Sequence, residues 1–274
     1  MKTVGLLIAV VLCVVLGVLA ARIYLRYRRD MAVARERALA GSQISETDSG
    51  PIEYASIGEG YPLLVIHGAG GGCDQGLLLA HFVSDDLRLM APSRFGYLRT
   101  PLPADASPAA QADAYADLLD ALDIREVAVV GISAGGPSAL QFALRHPDRT
   151  SALVMLSAIS HVDPPMDPVQ TVVFNVMFRS DFVYWLLSTY FQSNLVSMFG
   201  VPGDVQSALS PIEKQWISEF LQSMHPVSFR QVGIFNDIRN QQSPRDCRLE
   251  NIVAPTLVIH AVDDSLVSLS HGQH

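Results

Sequence analysis

The sequence predicts an α/β fold: a mostly parallel sheet flanked by helices, with a helical insert and an N-terminal transmembrane helix. Three observations carry this. Short β-branched runs alternate with helical stripes from residue 52 to residue 156 and resume at residue 254. Between Ser160 and Arg245 the alternation stops, and aromatic and aliphatic residues recur at helical spacing. Ahead of both lies an unbroken aliphatic run. At 274 residues and 49% apolar, the chain is long and apolar enough to bury one large core, which excludes a disordered protein.

Val4 to Ala21 is a run of 18 uncharged residues. As a helix it covers about 27 Å, close to the hydrocarbon thickness of a bilayer. Ile23, Tyr24, Leu25 and Tyr27 extend it into the interface, where Arg22 can snorkel. The rival is a cleaved signal peptide, since Val18-Leu19-Ala20 resembles a cleavage site. The length of the run and the arginines directly after it favour an anchor. Residues 1–40 carry seven basic and two acidic residues, net +5, which leaves −13 on the rest of a chain of net charge −8. Six of the basic residues (Arg22, Arg26, Arg28, Arg29, Arg35, Arg37) follow the run, so the positive-inside rule predicts a single-pass membrane protein with its large domain in the cytoplasm. Residues 22–41 read equally well as a basic helix on the membrane surface or as a solvated stalk.

Ile52–Ile57 and Tyr61–Ile66 read as strands, with Gly58-Glu59-Gly60 turning between them, and Leu87–Ala91 as a short third. Ser107-Pro108 starts a helix that runs to about Leu122 on a stripe of Ala112, Tyr115, Leu118 and Leu119. Val127–Val130 is a buried-type strand, Ala134–Arg145 a helix, Ala152–Leu156 a strand, and Ala254–His260 the last strand. In the insert, Phe174, Phe178, Phe182, Trp185, Leu186 and Tyr190 stand at helical spacing, and Ser210-Pro211 opens a helix holding Trp216 and Phe220. The organisation expected is an anchor and basic segment over residues 1–41, a core over 42–159 and 246–274, and an insert over 160–245.

Gly131-Ile132-Ser133-Ala134-Gly135-Gly136 follows a strand and opens a helix. In that setting G-x-S-x-G puts a serine on a turn too sharp for flanking side chains, with its oxygen above the sheet and a helix N-terminus beneath it. Ser133 is the candidate nucleophile. His67-Gly68-Ala69-Gly70-Gly71-Gly72 follows the strand ending at Ile66, and its backbone can face an oxyanion. The amides of Ala69 and Ala134 are the candidate oxyanion donors, and His67 is expected to serve the loop structurally. A phosphate loop is disfavoured: no Gly-Lys-Ser/Thr follows, and Cys73 stands where G-x-G-x-x-G needs its last glycine. No HExxH or paired CxxC occurs, so neither a metal nor a cofactor is expected. Three cysteines (Cys13, Cys73, Cys247) make no disulfide framework, and the net charge argues against nucleic acid as a partner.

HGAGGG, APSRFGY, GISAGG and APTLVIHAVDDSLV together resemble the α/β-hydrolase superfamily, in its capped, serine-nucleophile branch, over about residues 44–274. The resemblance implies an α/β-hydrolase fold with a helical cap, and an acid after the strand at 254–260. The family's D-x-x-V spacing points to Asp264 rather than Asp263, with Asp163 as a fallback position. It also implies a base histidine after a further strand. Ten residues separate Asp264 from His274, too few for a helix down and a strand back, so the chain is expected to be truncated before that histidine. His161, His225, His271 and His274 are weaker candidates for the base. The function implied is hydrolysis of an ester or related acyl bond of a small hydrophobic substrate, without cofactor. A haloperoxidase-like or C–C bond hydrolase keeps the same serine, and a non-catalytic, membrane-tethered binding protein is the alternative of another kind. Epoxide hydrolases and dehalogenases are disfavoured, because those relatives place Asp where Ser133 stands.

Overall fold

A computed structural model describes residues 2–162, 164–241 and 247–274. Helix α1 (Lys2–Leu39) is uninterrupted over 38 residues. Its apolar part is covered by no other described segment and is long and apolar enough to cross a membrane. The second half packs on the insert along one stripe. Met31, Ala34 and Ala38 form a buried stripe at helical spacing among exposed arginines, and Met31 and Ala34 pack on Trp185. Asp30 accepts a 3.1 Å hydrogen bond from the Trp185 indole, and the Arg37 guanidinium donates to the Gln222 carbonyl. The small residues of that stripe, spaced between charges, hid this contact in the sequence.

The chain then enters the sheet. Strand β1 (Gln43–Thr47) pairs antiparallel with β2 (Gly50–Ile57) through a two-residue turn closed by Gly50 at φ 96°. β1 is an expectation missed: its sequence, QISET, holds one apolar residue, and the strand is a mostly exposed edge. β3 (Tyr61–Ile66) does not pair with β2, because β4 (Leu87–Pro92) lies between them. A short helix α2 (Cys73–Gly76) and a 3-10 turn over Leu77–Phe82 fill the β3–β4 connection.

Helix α3 (Pro108–Ala121) starts where Ser107 and Pro108 predict, and the Ser107 hydroxyl accepts from the Ala110 amide at 3.2 Å. β5 (Val127–Ile132), α4 (Gly136–Arg145) and β6 (Thr150–Leu156) follow. Among the described residues, six helices then occupy the stretch between β6 and the next strand: α5 (Pro168–Phe178), α6 (Asp181–Tyr190), α7 (Gln192–Met198), α8 (Gly203–Ala208), α9 (Pro211–Ser223) and α10 (Gln231–Gln241). Ser210 and Glu213 cap α9 reciprocally. The expected end of the insert at 245/246 lies outside the described residues. β7 (Thr256–Ile259) and α11 (Leu269–Gln273) close the chain.

The sheet order is β1-β2-β4-β3-β5-β6-β7, parallel from β4 to β7. One face packs Leu64, Ile66, Tyr115, Leu119, Val129 and Phe142 beneath α3 and α4. The other packs Leu63, Val65, Leu89 and Val130 against the 3-10 turn after α2. β7, apolar enough to read as a buried strand, is instead the sheet edge, and all four of its residues are exposed.

Candidate active site

Parallel strands release their loops at one edge, and the register decides which loops meet there. Ile66 of β3 pairs with Gly131 of β5, Gly131 with Met155 of β6, and Met155 with Val258 of β7. One or two residues beyond this row stand His67, Ser133, Ser157 and His260. Ser133 adopts φ 48°, the left-handed region that costs a residue with a Cβ about 1–2 kcal/mol. Two amides hold it there: Ile159 N–H donates to the Ser133 carbonyl at 2.9 Å, and Gly136 N–H donates to the same oxygen. A side chain at Gly135 would stand 2.5 Å from the Ile66 carbonyl oxygen and 2.7 Å from that of His67. The strand-to-helix turn therefore packs against β3 with no room to spare, as the G-x-S-x-G pattern requires.

The glycine loop meets that turn from the other side. A methyl group at Gly68 would stand 3.1 Å from Ser133 Cβ and 3.6 Å from its Oγ. The loop that begins at His67 thus lies directly against the half-buried Ser133 side chain. His67 is fixed as a neutral tautomer: its Nε2 accepts from Arg94 N–H at 3.0 Å, so Nδ1 carries the proton and donates to the Gly68 carbonyl at 2.7 Å. Burial, and then the charge of Arg94, holds this imidazole well below its ordinary pKa. It is a loop brace, as its sequence setting predicts.

The amides of Ala69 and Ala134 share a further property. The Ala69 N–H belongs to the peptide unit whose carbonyl is that of Gly68, and that oxygen accepts from His67 Nδ1 and from Arg94 Nη2 at 3.1 Å. The Ala134 N–H belongs to the unit whose carbonyl is that of Ser133, which accepts from Ile159 and Gly136. A hydrogen bond accepted at one end of a peptide unit polarises the N–H at the other. Ala134 N–H also lies in a first helical turn, where no intrahelical acceptor exists. The Ala69 N–H donates to no other described residue. Both polarised donors belong to the two segments in contact here, Ala69 next to Gly68 and Ala134 next to Ser133.

Arg94 anchors this arrangement, and nothing in the sequence reading singled it out. Its guanidinium, 5% exposed, donates to the carbonyls of Gly68 and Ala134 and pairs with both oxygens of Asp237 at 2.6 Å. Burial opposes the charge, but the Asp237 carboxylate more than offsets it, so the guanidinium holds its proton more tightly than usual. Tyr97 donates to Asp237 at 2.5 Å. A second ion pair runs the opposite way: Arg230, ahead of α10, is fully buried and donates to Asp74 at 2.7 Å and to the Gly71 carbonyl at 2.6 Å. The Met224 methyl group lies over Gly70. The insert thus roofs the glycine loop and is bolted to it by charge on both sides. A charged residue two positions past the apolar end of strand β4 was the available signal for Arg94. Its partner, 143 residues away on a helix of mixed sequence, had none.

After β7, Asp264 Oδ1 accepts from the amides of Leu266 and Val267, both at 2.9 Å, which shapes the D-x-x-V turn. Val267 packs with Ala134, Ile159 and Ala69, so this turn reaches the wall of the same site. Asp264 Oδ2 lies 3.8 Å from His260 Nε2, which itself bonds the Val267 carbonyl at 2.8 Å. Asp163 lies outside the described residues.

The histidine candidates have other neighbours. His225 is buried in the insert with Nε2 on Ser188 Oγ at 2.8 Å, which removes it as a base. His271, buried in α11, accepts from the Ser160 amide at 3.1 Å and stacks on His161 at 3.8 Å, and the ring of His274 stands edge-on to His161. Among the described residues no group of three or more His, Cys, Asp or Glu is placed to hold a metal.

Comparison with known proteins identifies the fold and the family. The family model described as alpha/beta hydrolase fold matches residues 61–273. The uncharacterized hydrolase YcgS of Bacillus subtilis is 30% identical over 239 residues, 83% of each chain. The solved alpha/beta hydrolase fold protein of Nakamurella multipartita is 31% identical, with a TM-score of 0.73 over 85% of each chain. A membrane phospholipase A described as a bacterial virulence factor shares the fold at 22% identity and a TM-score of 0.62, covering 98% of this chain and 85% of its own. With the family model spanning most of the sequence and a relative alike over four-fifths of it, the chain is a hydrolase of the α/β-hydrolase family.

Proposed function

We propose that this hydrolase is membrane-anchored through α1, faces the cytoplasm, and cleaves an ester or related acyl bond of a hydrophobic substrate with Ser133 as nucleophile. The observation that supports the reading is the Ser133 turn: a left-handed serine lies against Gly68, and the peptide units that carry the Ala69 and Ala134 amides are hydrogen-bonded at their carbonyls. Ser133 Oγ adds to the acyl carbon, and the carbonyl oxygen, taking up negative charge, is held by Ala69 N–H and Ala134 N–H. The serine proton passes to an imidazole oriented by Asp264. β5 and β7 are two strand spacings apart, about 10 Å. An imidazole with a hydrogen bond on each side spans about 8 Å, which suits that gap. His225, held by Ser188 inside the insert, is not that imidazole, and the comparison of the two chain lengths in the test below identifies which sequence supplies it. The imidazole then protonates the leaving alcohol, and water attacks the acyl-enzyme by the reverse route.

An aliphatic insert above the loop favours a hydrophobic acyl group, and the likeness to a membrane phospholipase A is consistent with one carried by a lipid. The test is a fluorophosphonate probe with p-nitrophenyl esters, applied to the chain of 274 residues and to the same frame extended. Labelling of Ser133 in the extended protein, lost in Ser133→Ala, is the expected result. Labelling of neither form overturns the reading and leaves a binding protein. Labelling with turnover of a C–C bond between carbonyl groups, and none of esters, moves the substrate class.

A further inference from the structure

The insert carries an apolar surface that no described segment covers. On α5, Val169, Val172, Val173 and Val176 are 42–72% exposed and share one helix face, at spacings of three and four residues. The α6 helix adds Phe182, Tyr190 and the following Phe191, each 39–51% exposed. Contiguous exposed apolar residues of this kind mark a contact surface. Their position says what touches it. α1 leaves its apolar run at Ala21, and by Tyr27, about 9 Å further along the helix axis, it already packs on α6. Tyr27 meets Phe182 at 5.2 Å and Trp185 at 5.4 Å between ring centroids, and Arg26 bonds the Tyr190 hydroxyl at 3.3 Å. The headgroup layer on each side of a bilayer is itself about 5–8 Å deep. Phe182 and Tyr190 therefore stand at the outer edge of the headgroup layer when α1 spans the membrane, and α5 ends four residues before Phe182.

Charge points the same way. Arg22, Arg26, Arg28, Arg29 and Arg35 are exposed around this junction, on a chain whose remainder is strongly acidic. Anionic lipid attracts this end of the protein and repels the rest. We infer that the insert is itself a membrane-contacting surface: the valine face of α5 and the aromatic ends of α6 lie in the bilayer interface beside the anchor, against anionic lipid. The surface holds the roof over Gly70 at the bilayer, so that a lipid-borne substrate enters from the membrane. The surface itself rests on α1 crossing a bilayer, and the entry route rests on the proposed hydrolase function as well.

The experiment is nitroxide scanning of the full chain in vesicles of phosphatidylcholine and phosphatidylglycerol, with labels at Val172→Cys, at Val11→Cys in the apolar run, and at Glu59→Cys on the opposite sheet edge. Cys13→Ser and Cys247→Ser clear the background, and buried Cys73 stays. Position 172 is expected to collide several-fold more with oxygen and several-fold less with a water-soluble nickel chelate than position 59. Labels moved along residues 169–176 are expected to repeat that contrast at helical period. Nickel access at 172 equal to that at 59, with position 11 lipid-like, overturns the inference alone, whereas water-like behaviour at position 11 overturns the anchor reading. Shielding of 172 from both reagents, with dipolar broadening between labels, assigns the surface to a second copy of the chain and also overturns the inference.

Discussion

Arg94 and Asp237 meet through two contacts of 2.6 Å, both side chains nearly buried, one from the sheet and one from the insert. The pair does two things. It ties α10 to the core, and it positions a guanidinium behind the Gly68 carbonyl. These separate by mutation. Asp237→Ala leaves a buried charge unpaired and is expected to cost about 3–5 kcal/mol in urea unfolding. The double variant Arg94→Met with Asp237→Leu replaces the pair by apolar bulk and is expected to recover most of that stability. It is not expected to recover the rate of fluorophosphonate labelling, because the Gly68 peptide has lost a donor. Equal recovery of both would reduce Arg94 to a fastener.

The glycines around Ser133 differ in what they press against. A methyl group at Gly68 meets the Ser133 side chain, which can shift by a few tenths of an ångström. Gly68→Ala is expected to fold with a normal melting temperature and to label about tenfold more slowly, since a shift of a few tenths of an ångström is a fraction of the roughly 1 Å that costs about a hundredfold. A methyl group at Gly135 meets two backbone oxygens of β3 and its loop, which cannot retreat without breaking the sheet. Gly135→Ala is therefore expected to be insoluble or to melt far below the parent, as circular dichroism would record.

The contrast between these residues and Arg94 shows what a sequence can carry. Ser133, its glycines and the loop after β3 were legible because each depends on neighbours within a few positions: a strand before, a helix after, no room for a Cβ between. Ser107 and Ser210 were legible as caps for the same reason. β1 was not, because an exposed edge strand needs no apolar alternation. The docking of α1 on the insert was hidden in three small or flexible residues (Met31, Ala34, Ala38) spaced among arginines, which read as a basic surface. The two buried ion pairs join residues more than 140 positions apart, and a single sequence holds no local mark of such a partner.

Two buried imidazoles make stability depend on pH. Burial, and then neighbouring arginines, holds His67 well below its ordinary 6.5 and lowers His225 to about 3. The unfolded chain takes up these protons near pH 6.5 while the folded chain does not, so the unfolded state gains as pH falls. Their full contribution is present above pH 6.5 and is lost progressively as the pH falls, for His225 down to about 3. Unfolding free energy measured in urea is expected to fall below pH 6.5 by up to about 1.4 kcal/mol per pH unit for each imidazole. His225→Gln is expected to halve that slope. A stability that rises on acidification to pH 5 would contradict the neutral tautomer of His67.

Strain at Ser133 gives the last prediction, one that separates stability from activity at a single atom. The backbone stays at φ 48° whatever side chain is attached, because Ile159 and Gly136 hold its carbonyl. Alanine at 133 keeps the Cβ and so keeps the steric cost, while glycine removes it. Glycine also gives the unfolded chain more freedom, which takes back part of the gain. Ser133→Gly is expected to unfold about 1 kcal/mol harder than Ser133→Ala, read as a higher urea midpoint at unchanged slope, with both variants unlabelled by the probe. A glycine at an ordinary exposed helix position does the reverse and destabilises by about 1 kcal/mol relative to alanine. The sign of this one difference therefore reports whether residue 133 is held in the left-handed turn.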